Sequence, residues 1–272
     1  MIIVNFKGRL GNVMFELAEA IYFANVKSTE LRILHNRERE YYNEEIYGKE
    51  FFGNYKLIEE SDFDSGKFKR LKKNGTRADE SSVDGTDDIL IDDYFLGKNY
   101  VHDEYTRDIF KPSDILKEEI LDLYSPDTDS LTMHIRRGDF LSPQCIKGGW
   151  YSCPKKYWEA AYALLGKNYK KVFVLSDDLD WCKNTLDIPN MVPVDKETEN
   201  SKLFFDLFLP SFCGDNIISA STLSWWMQHI NVNPNKKVIM PYPWNTIEGN
   251  ARNKIYYTDN CMKLGIYDYK LK

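Results

Sequence analysis

Leu131-Thr132-Met133-His134-Ile135-Arg136-Arg137-Gly138-Asp139 begins as a short, partly apolar strand and ends in a charged turn. Its last six residues hold an imidazole, two guanidinium groups and a carboxylate, with a glycine where the strand turns. Buried charge is costly unless it meets opposite charge. Two adjacent arginines at a strand end therefore ask for an anion. Successive side chains alternate across a strand, so His134 and Arg136 share one face and Arg137 takes the other. A planar guanidinium makes two-point contact with phosphate oxygens. Arg136, with His134 beside it, is the candidate diphosphate ligand, and Arg137 the candidate partner of a structural acid. The plainer alternative is an internal salt-bridge cluster with Asp139.

Working outward, strands and helices alternate. The second half gives a strand at Leu131–Ile135, a helix at Pro154–Leu165 and a strand at Lys171–Leu175. A short helix follows at Asp180–Leu186 and an apolar helix at Lys202–Phe212. A strand at Asn216–Ser219, a helix at Thr222–Ile230 and a last strand at Val238–Met240, stopped by Pro241, complete it. Tyr157, Ala160, Ala161 and Leu164 are expected to face inward. The first half opens with a strand at Ile2–Phe6, a helix starting near Asn12 and a strand at Leu31–Leu34. Pro112–Tyr124 has the signals of a helix, with Ile115, Leu116, Ile120 and Leu123 on one face. This order implies an α/β chain with doubly wound, mostly parallel sheets. The linker at Ser125–Asp129 divides it into domains 1–125 and 126–272. The region from Arg37 to Thr106 gives turn signals and one strand at Ile89–Ile91, and little else.

The chain has 272 residues, enough for one large domain or two ordinary ones. Its net charge of −6 argues against a nucleic-acid partner. The one basic run, Lys67–Lys73, lies between acidic stretches and reads as a solvated loop or helix face. Five cysteines, without metal-ligand spacing, fit a reduced setting with no zinc site. Cys145 and Cys153 flank a Gly-Gly-Trp loop and are the pair to consider under oxidation. No apolar run reaches the ~18 residues of a membrane span.

Ligands of open parallel sheets bind beyond the carboxyl ends of the strands. Four polar loops fall there: Gly8–Asn12, His134–Asp139, Ser176–Asp178 and Ser219–Ser224. Ser221 and Thr222 stand where a strand enters a helix, a place suited to anions. Ordinary N-capping is the alternative. Gly8 and Gly11 would let backbone approach a ligand, and Asn12 would cap the helix or touch substrate. Asp177 or Asp178 would accept from a guanine edge or a ribose hydroxyl, or cap the helix near Asp180. No acidic cluster has metal-ligand spacing, and the arginines can neutralise phosphate without metal.

Together these pieces resemble the α-1,2-fucosyltransferases of glycosyltransferase family 11. Gly8-Arg9-Leu10-Gly11-Asn12-x-Met14-Phe15 is similar to the family's G-x-L-G-N-Q-M-F. His134-Ile135-Arg136-Arg137-Gly138-Asp139 matches H-x-R-R-x-D. Phe173–Asp178 with Trp181-Cys182, and then Asp206–Cys213 with Asn216–Trp226, resemble the later blocks. Val13, Asp215, Ala220 and Leu223 depart from the family's Gln, His, Asn and Phe.

The resemblance implies a GT-B-like pair of Rossmann-type domains, the first helping to hold the acceptor and the second binding GDP-fucose. It implies inverting transfer of fucose to the 2-hydroxyl of a galactose-terminated glycan, with no cofactor and no required metal. Arg136 would stabilise the leaving diphosphate, with His134, Asp177, Ser221, Thr222, Gly8, Gly11 and Asn12 on the donor and Asp139 as candidate base. A bacterial enzyme of surface-glycan synthesis is expected, cytoplasmic or peripheral at the inner membrane face. The rival readings are a transferase of another nucleotide sugar and a non-catalytic glycan- or nucleotide-binding homologue.

Overall fold

The computed structural model describes residues 1–35, 55–74, 77–84, 87–106, 108–195 and 199–272. The turns expected at Asn74-Gly75 and Asp84-Gly85 lie partly outside them. The chain falls into two compact units, Met1–Lys111 and Pro112–Lys272.

In the first unit, β1 (Ile2–Val4) leads through a tight loop into α1 (Leu10–Val26), followed by β2 (Leu31–His35) and β3 (Lys56–Glu59). Short strands β4 (Lys69–Arg70), β5 (Lys72–Asn74), β6 (Arg77–Asp79) and β7 (Ile89–Ile91) complete it. The main sheet has the order β3-β2-β1-β7-β4, with every pairing parallel. β5 and β6 form a separate antiparallel pair. The basic run therefore starts at the end of a 3-10 turn with Lys67 and continues as two short strands from Lys69 to Lys73. Its cations are matched by a nearby acidic segment: Lys69 pairs with Asp87, Arg70 with Asp92 and Lys73 with Asp93. The short helix α2 (Asp103–Thr106) follows.

The second unit starts with α3 (Asp114–Tyr124), capped by the Ser113 side chain and ended by left-handed Ser125. Only Leu116 and Ile120 of its expected apolar face are buried; Ile115 and Leu123 are exposed. Tyr124 packs edge-on against Phe173 and Phe205, and its carbonyl accepts from Lys171, so this helix goes with the second unit. The boundary therefore falls before α3, not after it as the Ser125–Asp129 linker suggests.

Then come β8 (Ser130–Ile135), α4 (Pro143–Lys147), α5 (Lys155–Leu165), β9 (Lys171–Ser176), α6 (Leu179–Thr185) and β10 (Met191–Pro193). They are followed by α7 (Glu199–Phe208), β11 (Asp215–Ile218), α8 (Thr222–Ile230), β12 (Val238–Tyr242), α9 (Arg252–Ile255) and β13 (Cys261–Gly265). The six strands form one parallel sheet in the order β10-β9-β8-β11-β12-β13. Numbered along the unit this is 3-2-1-4-5-6, the doubly wound Rossmann arrangement, whose switch point lies between β8 and β11.

β8 is buried along its whole length, as a central parallel strand requires. On α5, Tyr157, Trp158, Ala161 and Leu165 are buried, while Leu164 faces solvent. The inward stripe thus passes one residue beyond the expected Leu164. β12 runs on through Pro241, because it pairs with β11 only at Val238 and Ile239 and a missing N–H further along breaks no bond to that neighbour. β13, not β12, is the last strand.

All five cysteines are free, Cys145 and Cys153 among them. Among the described residues no helix is long and apolar enough to cross a membrane.

Candidate functional site

β8 ends at the switch point of the second unit. His134, near its end, is buried, and its Nδ1 hydrogen-bonds the Oγ of Ser224 in α8. Ser219, just past β11, ties the two strand ends together. Its Oγ accepts the Arg136 backbone N–H at 2.8 Å and donates to the His134 carbonyl at 2.8 Å. The Ser221 N–H in turn donates to the Ser219 carbonyl at 2.8 Å.

Arg136 leaves this edge with its guanidinium between two carboxylates. One terminal nitrogen donates to Asp139 Oδ1 at 2.5 Å, and the other stands 2.6 Å from Asp177 Oδ2. Arg137, two residues past the end of β8, points elsewhere. Its Nε donates to Asp178 Oδ2 at 2.9 Å, and its guanidinium lies 3.8 Å from the centre of the Trp181 ring. Asp178 also caps α6 by accepting the Trp181 N–H at 3.1 Å. The hydrogen bond from Arg137 holds the Asp178 carboxyl below its ordinary pKa. The two arginines thus have separate anchors.

Asp177 does not cap α6. Its Oδ1 accepts the Arg137 N–H at 2.8 Å while Oδ2 faces Arg136. A Cβ on Gly138 would stand 2.5 Å from that Oδ2, so a larger residue there would displace the carboxylate. Ser176, one residue earlier, donates its Oγ to the Ile135 carbonyl at 2.7 Å.

At the start of α8, Ser221 is extended and its side chain makes no capping bond. Ser221 and Thr222 are half-buried. The helix start therefore presents backbone N–H groups and hydroxyls that its own cap does not consume, an arrangement suited to an anion. Trp225 and Trp226 are both buried core.

His134, Arg136, Asp139, Asp177, Ser221 and Thr222 are thus gathered at the carboxyl edge of one sheet. Gly8, Gly11 and Asn12 belong to the other unit's sheet. There the helix begins at Leu10, so Asn12 lies within its first turn and is not its cap. Gly8 has φ +77°, and a Cβ there would strike the Asn12 side chain, so these two residues pack on each other. Gly11 is buried inside the helix. Asp92, beyond β7 of the same sheet, accepts from Asn5 at 2.9 Å and pairs with Lys7 and Arg70.

A second feature of this edge in the 112–272 unit is not evident from sequence patterning. Phe140 and Trp150 stack at 5.4 Å, with Arg136 over one ring and Arg252 over the other. The loop carrying Trp150 is held by buried Asn245, which donates to the Gly148 carbonyl at 2.9 Å and accepts from the Ile247 N–H and Asn250. The Gly148-Gly149 pair is the available signal, since Gly149 adopts φ +79°. Among the described residues, no group of three or more His, Cys, Asp or Glu side chains is placed to hold a metal.

Residues 93–259 match the sequence profile of Glycosyl transferase family 11. The chain belongs to that family. Its similarity to characterised proteins is partial. It is 31% identical over 163 residues to the O-antigen biosynthesis glycosyltransferase WbnK of Escherichia coli, covering 55% of this chain and 53% of that protein. It is 31% identical over 155 residues to an Escherichia coli alpha-1,2-colitosyltransferase, covering 56% and 52%. The family 11 chain thus spans about half the length of the curated relatives it matches. Its fold is that of GT-B fucosyltransferase structures. The fucosyltransferase NodZ from Bradyrhizobium aligns with TM-score 0.53 at 15% identity, over 84% of this chain and 91% of that one. Arabidopsis thaliana FUT1 aligns with TM-score 0.51 at 12% identity, over 88% and 70%.

The family departures take structural form. Val13 and Ala220 are buried. Asp215 opens β11, at the end of the sheet away from Arg136, and accepts from Tyr169 Oη and the Lys237 N–H, both at 2.6 Å.

Proposed function

We propose that this family 11 chain transfers fucose from GDP-fucose to the 2-hydroxyl of a galactose-type acceptor, with inversion, in bacterial surface-glycan synthesis. The observation that carries the reading is Arg136 at the switch point of the second unit, beside buried His134 and the uncapped start of α8. The acceptor oxygen forms the new bond to the anomeric carbon as the bond from that carbon to the diphosphate breaks. The electron pair leaves with the diphosphate, where Arg136 stabilises the growing charge, an interaction worth several kcal/mol in comparable sites. Ser221 and Thr222 add hydrogen bonds. Asp139 is the carboxylate proposed to take the hydroxyl proton. No metal is required in this scheme, and turnover is expected to survive chelation. The chain is proposed to work on the cytoplasmic side of the membrane.

A second reading is transfer of another deoxysugar from its nucleotide, favoured by the likeness to an alpha-1,2-colitosyltransferase. Incubation with GDP-fucose and lactose, with and without EDTA, tests the first. GDP release with a product one deoxyhexose heavier than lactose supports it. Stabilisation by UDP and not GDP in a thermal-shift panel overturns the donor assignment. Binding of GDP-fucose without turnover on any galactoside marks a non-catalytic homologue.

A further inference from the structure

The second unit holds three arginines. Two are matched by carboxylates: Arg136 by Asp139 and Asp177, and Arg137 by Asp178. Arg252 is half-buried and, among the described residues, has no carboxylate within ion-pair distance. Its side chain meets the Trp150 ring, 5.1 Å from the ring centre, and the buried Tyr256 hydroxyl. Neither neutralises it. A charge partly withdrawn from water and left without an opposite charge is costly to keep.

Arg252 is nevertheless held from both sides. Asn245 is 0% exposed. Its side-chain oxygen accepts from the Asn250 amide at 3.1 Å, and its backbone exchanges two 2.8 Å bonds with the Asn253 side chain. Asn250 in turn accepts the Arg252 N–H at 3.0 Å. The Asn245 amide also donates to the Gly148 carbonyl at 2.9 Å, and the Thr246 N–H to the Gly149 carbonyl at 2.9 Å, which fixes the loop carrying Trp150. One buried asparagine thus sets both the ring and the guanidinium that lies over it. A guanidinium has several N–H donors, and a ring and one hydroxyl leave most of them for a ligand. Donors fixed in advance lose less freedom when the ligand arrives.

The position narrows the ligand. Trp150 stacks on Phe140, and Arg136 lies over Phe140. Two rings therefore stand between Arg136 and Arg252, too much for both to hold one diphosphate. With the diphosphate on Arg136 and the start of α8, the anion left for Arg252 belongs to the other substrate. We propose that Arg252, seated on Trp150, binds a carboxylate or phosphate carried by the acceptor, so that the site favours an acidic galactoside over a neutral one. The inference deepens the proposed function and rests on it for the place of the diphosphate.

The test is the rate of GDP release from GDP-fucose with galactose, galacturonate and galactose 6-phosphate as acceptors. In the wild-type chain kcat/KM for at least one acid should exceed that for galactose roughly tenfold or more, the worth of one charge-assisted contact. Which acid leads distinguishes carboxylate from phosphate. Arg252→Ala should abolish the preference with KM for GDP-fucose unchanged, Arg252→Lys should keep part of it, and Trp150→Leu should reduce it. Melting temperatures separate these effects from misfolding, and Arg252→Gln serves if Arg252→Ala melts early. Equal kcat/KM for the three acceptors in the wild type overturns the proposal. So does an Arg252→Ala loss that falls equally on all three. A raised KM for GDP-fucose in that variant places Arg252 on the donor and overturns it too. If no acceptor releases GDP, the transfer reading fails, and the anion site is read separately by calorimetric titration of galacturonate and galactose 6-phosphate into the wild-type chain and Arg252→Ala. Equal binding by the two, or none, overturns it.

Discussion

His134 Nδ1 and Ser224 Oγ, 90 residues apart in sequence, hydrogen-bond inside the second unit and lock the end of β8 to the first turns of α8. Neither side chain has appreciable exposure. The bond couples the strand that presents Arg136 to the helix whose start faces the same edge. Ser224→Ala removes it and leaves the imidazole short of a buried partner. Equilibrium unfolding in urea should register a loss of about 1–3 kcal/mol.

Arg136→Ala should reduce kcat for fucosyl transfer by roughly 100- to 1,000-fold, the usual cost of removing one group that stabilises developing negative charge. Arg136→Lys should recover little of it, because an ammonium cannot reproduce the planar fork. Turnover of Arg136→Ala near the wild-type rate, measured as GDP release, would remove this residue from the reaction.

The Arg136 site was legible in sequence because its signals are local. A strand, two arginines and a glycine sit within one short window, and the charge pattern called for negative partners, which Asp139, Asp177 and Asp178 supply in the folded chain. What Asp177 does was not legible, since its partners Arg137 and Gly138 lie about 40 residues earlier and meet it only through the parallel pairing of β8 with β9. The edge strands β10 and β13 escape sequence reading for a different reason. They are short and half-exposed, so they carry no continuous apolar run. The first unit's small strands, such as the two-residue β4, are likewise fixed by neighbours and ion pairs rather than by periodicity.

Two glycines with the same left-handed backbone make a paired experiment. Gly166, which ends α5, has φ +60°, and a Cβ added there would meet nothing within 4 Å, so Gly166→Ala should cost only the conformational penalty of about 1 kcal/mol. Gly149 has φ +79° and a Cβ there would meet Asn245 Oδ1 at 2.4 Å. Gly149→Ala should therefore lower Tm several degrees further than Gly166→Ala, and equal melting temperatures would show that Asn245 moves freely.

The Arg137–Asp178 pair sets an acid limit. The hydrogen bond from Arg137 lowers the Asp178 pKa in the folded chain below the ordinary 3.8. The folded state then binds fewer protons there than the unfolded one, so the contribution is present above 3.8 and is lost as pH falls through the lower folded value. Asp178→Asn retains the α6 cap but not the charge. Thermal melts between about pH 2 and 5 should show a smaller acid-dependent loss of Tm in the variant than in the wild type.

Tyr169→Phe should destabilise the second unit by about 1–3 kcal/mol in urea unfolding, because Asp215 is buried and loses one of its two 2.6 Å donors. The double variant Tyr169→Phe with Asp215→Asn should recover part of that loss, since a neutral amide needs less compensation than a carboxylate.

The parallel order of the second sheet also sets how the chain must fold. β8 touches β9 through residues such as Ile135 and Ser176, 41 positions apart, and β11 through Thr132 and Asn216, 84 positions apart. None of its strand pairs is a hairpin, so no pairing forms before a long loop has closed. Chains dominated by such distant contacts fold slowly and expose unpaired strands on the way. The architecture that gathers His134, Arg136 and Ser221 at one edge thus lengthens the interval in which a newly made chain is open to aggregation, and slower synthesis at lower temperature is the condition under which its yield should rise.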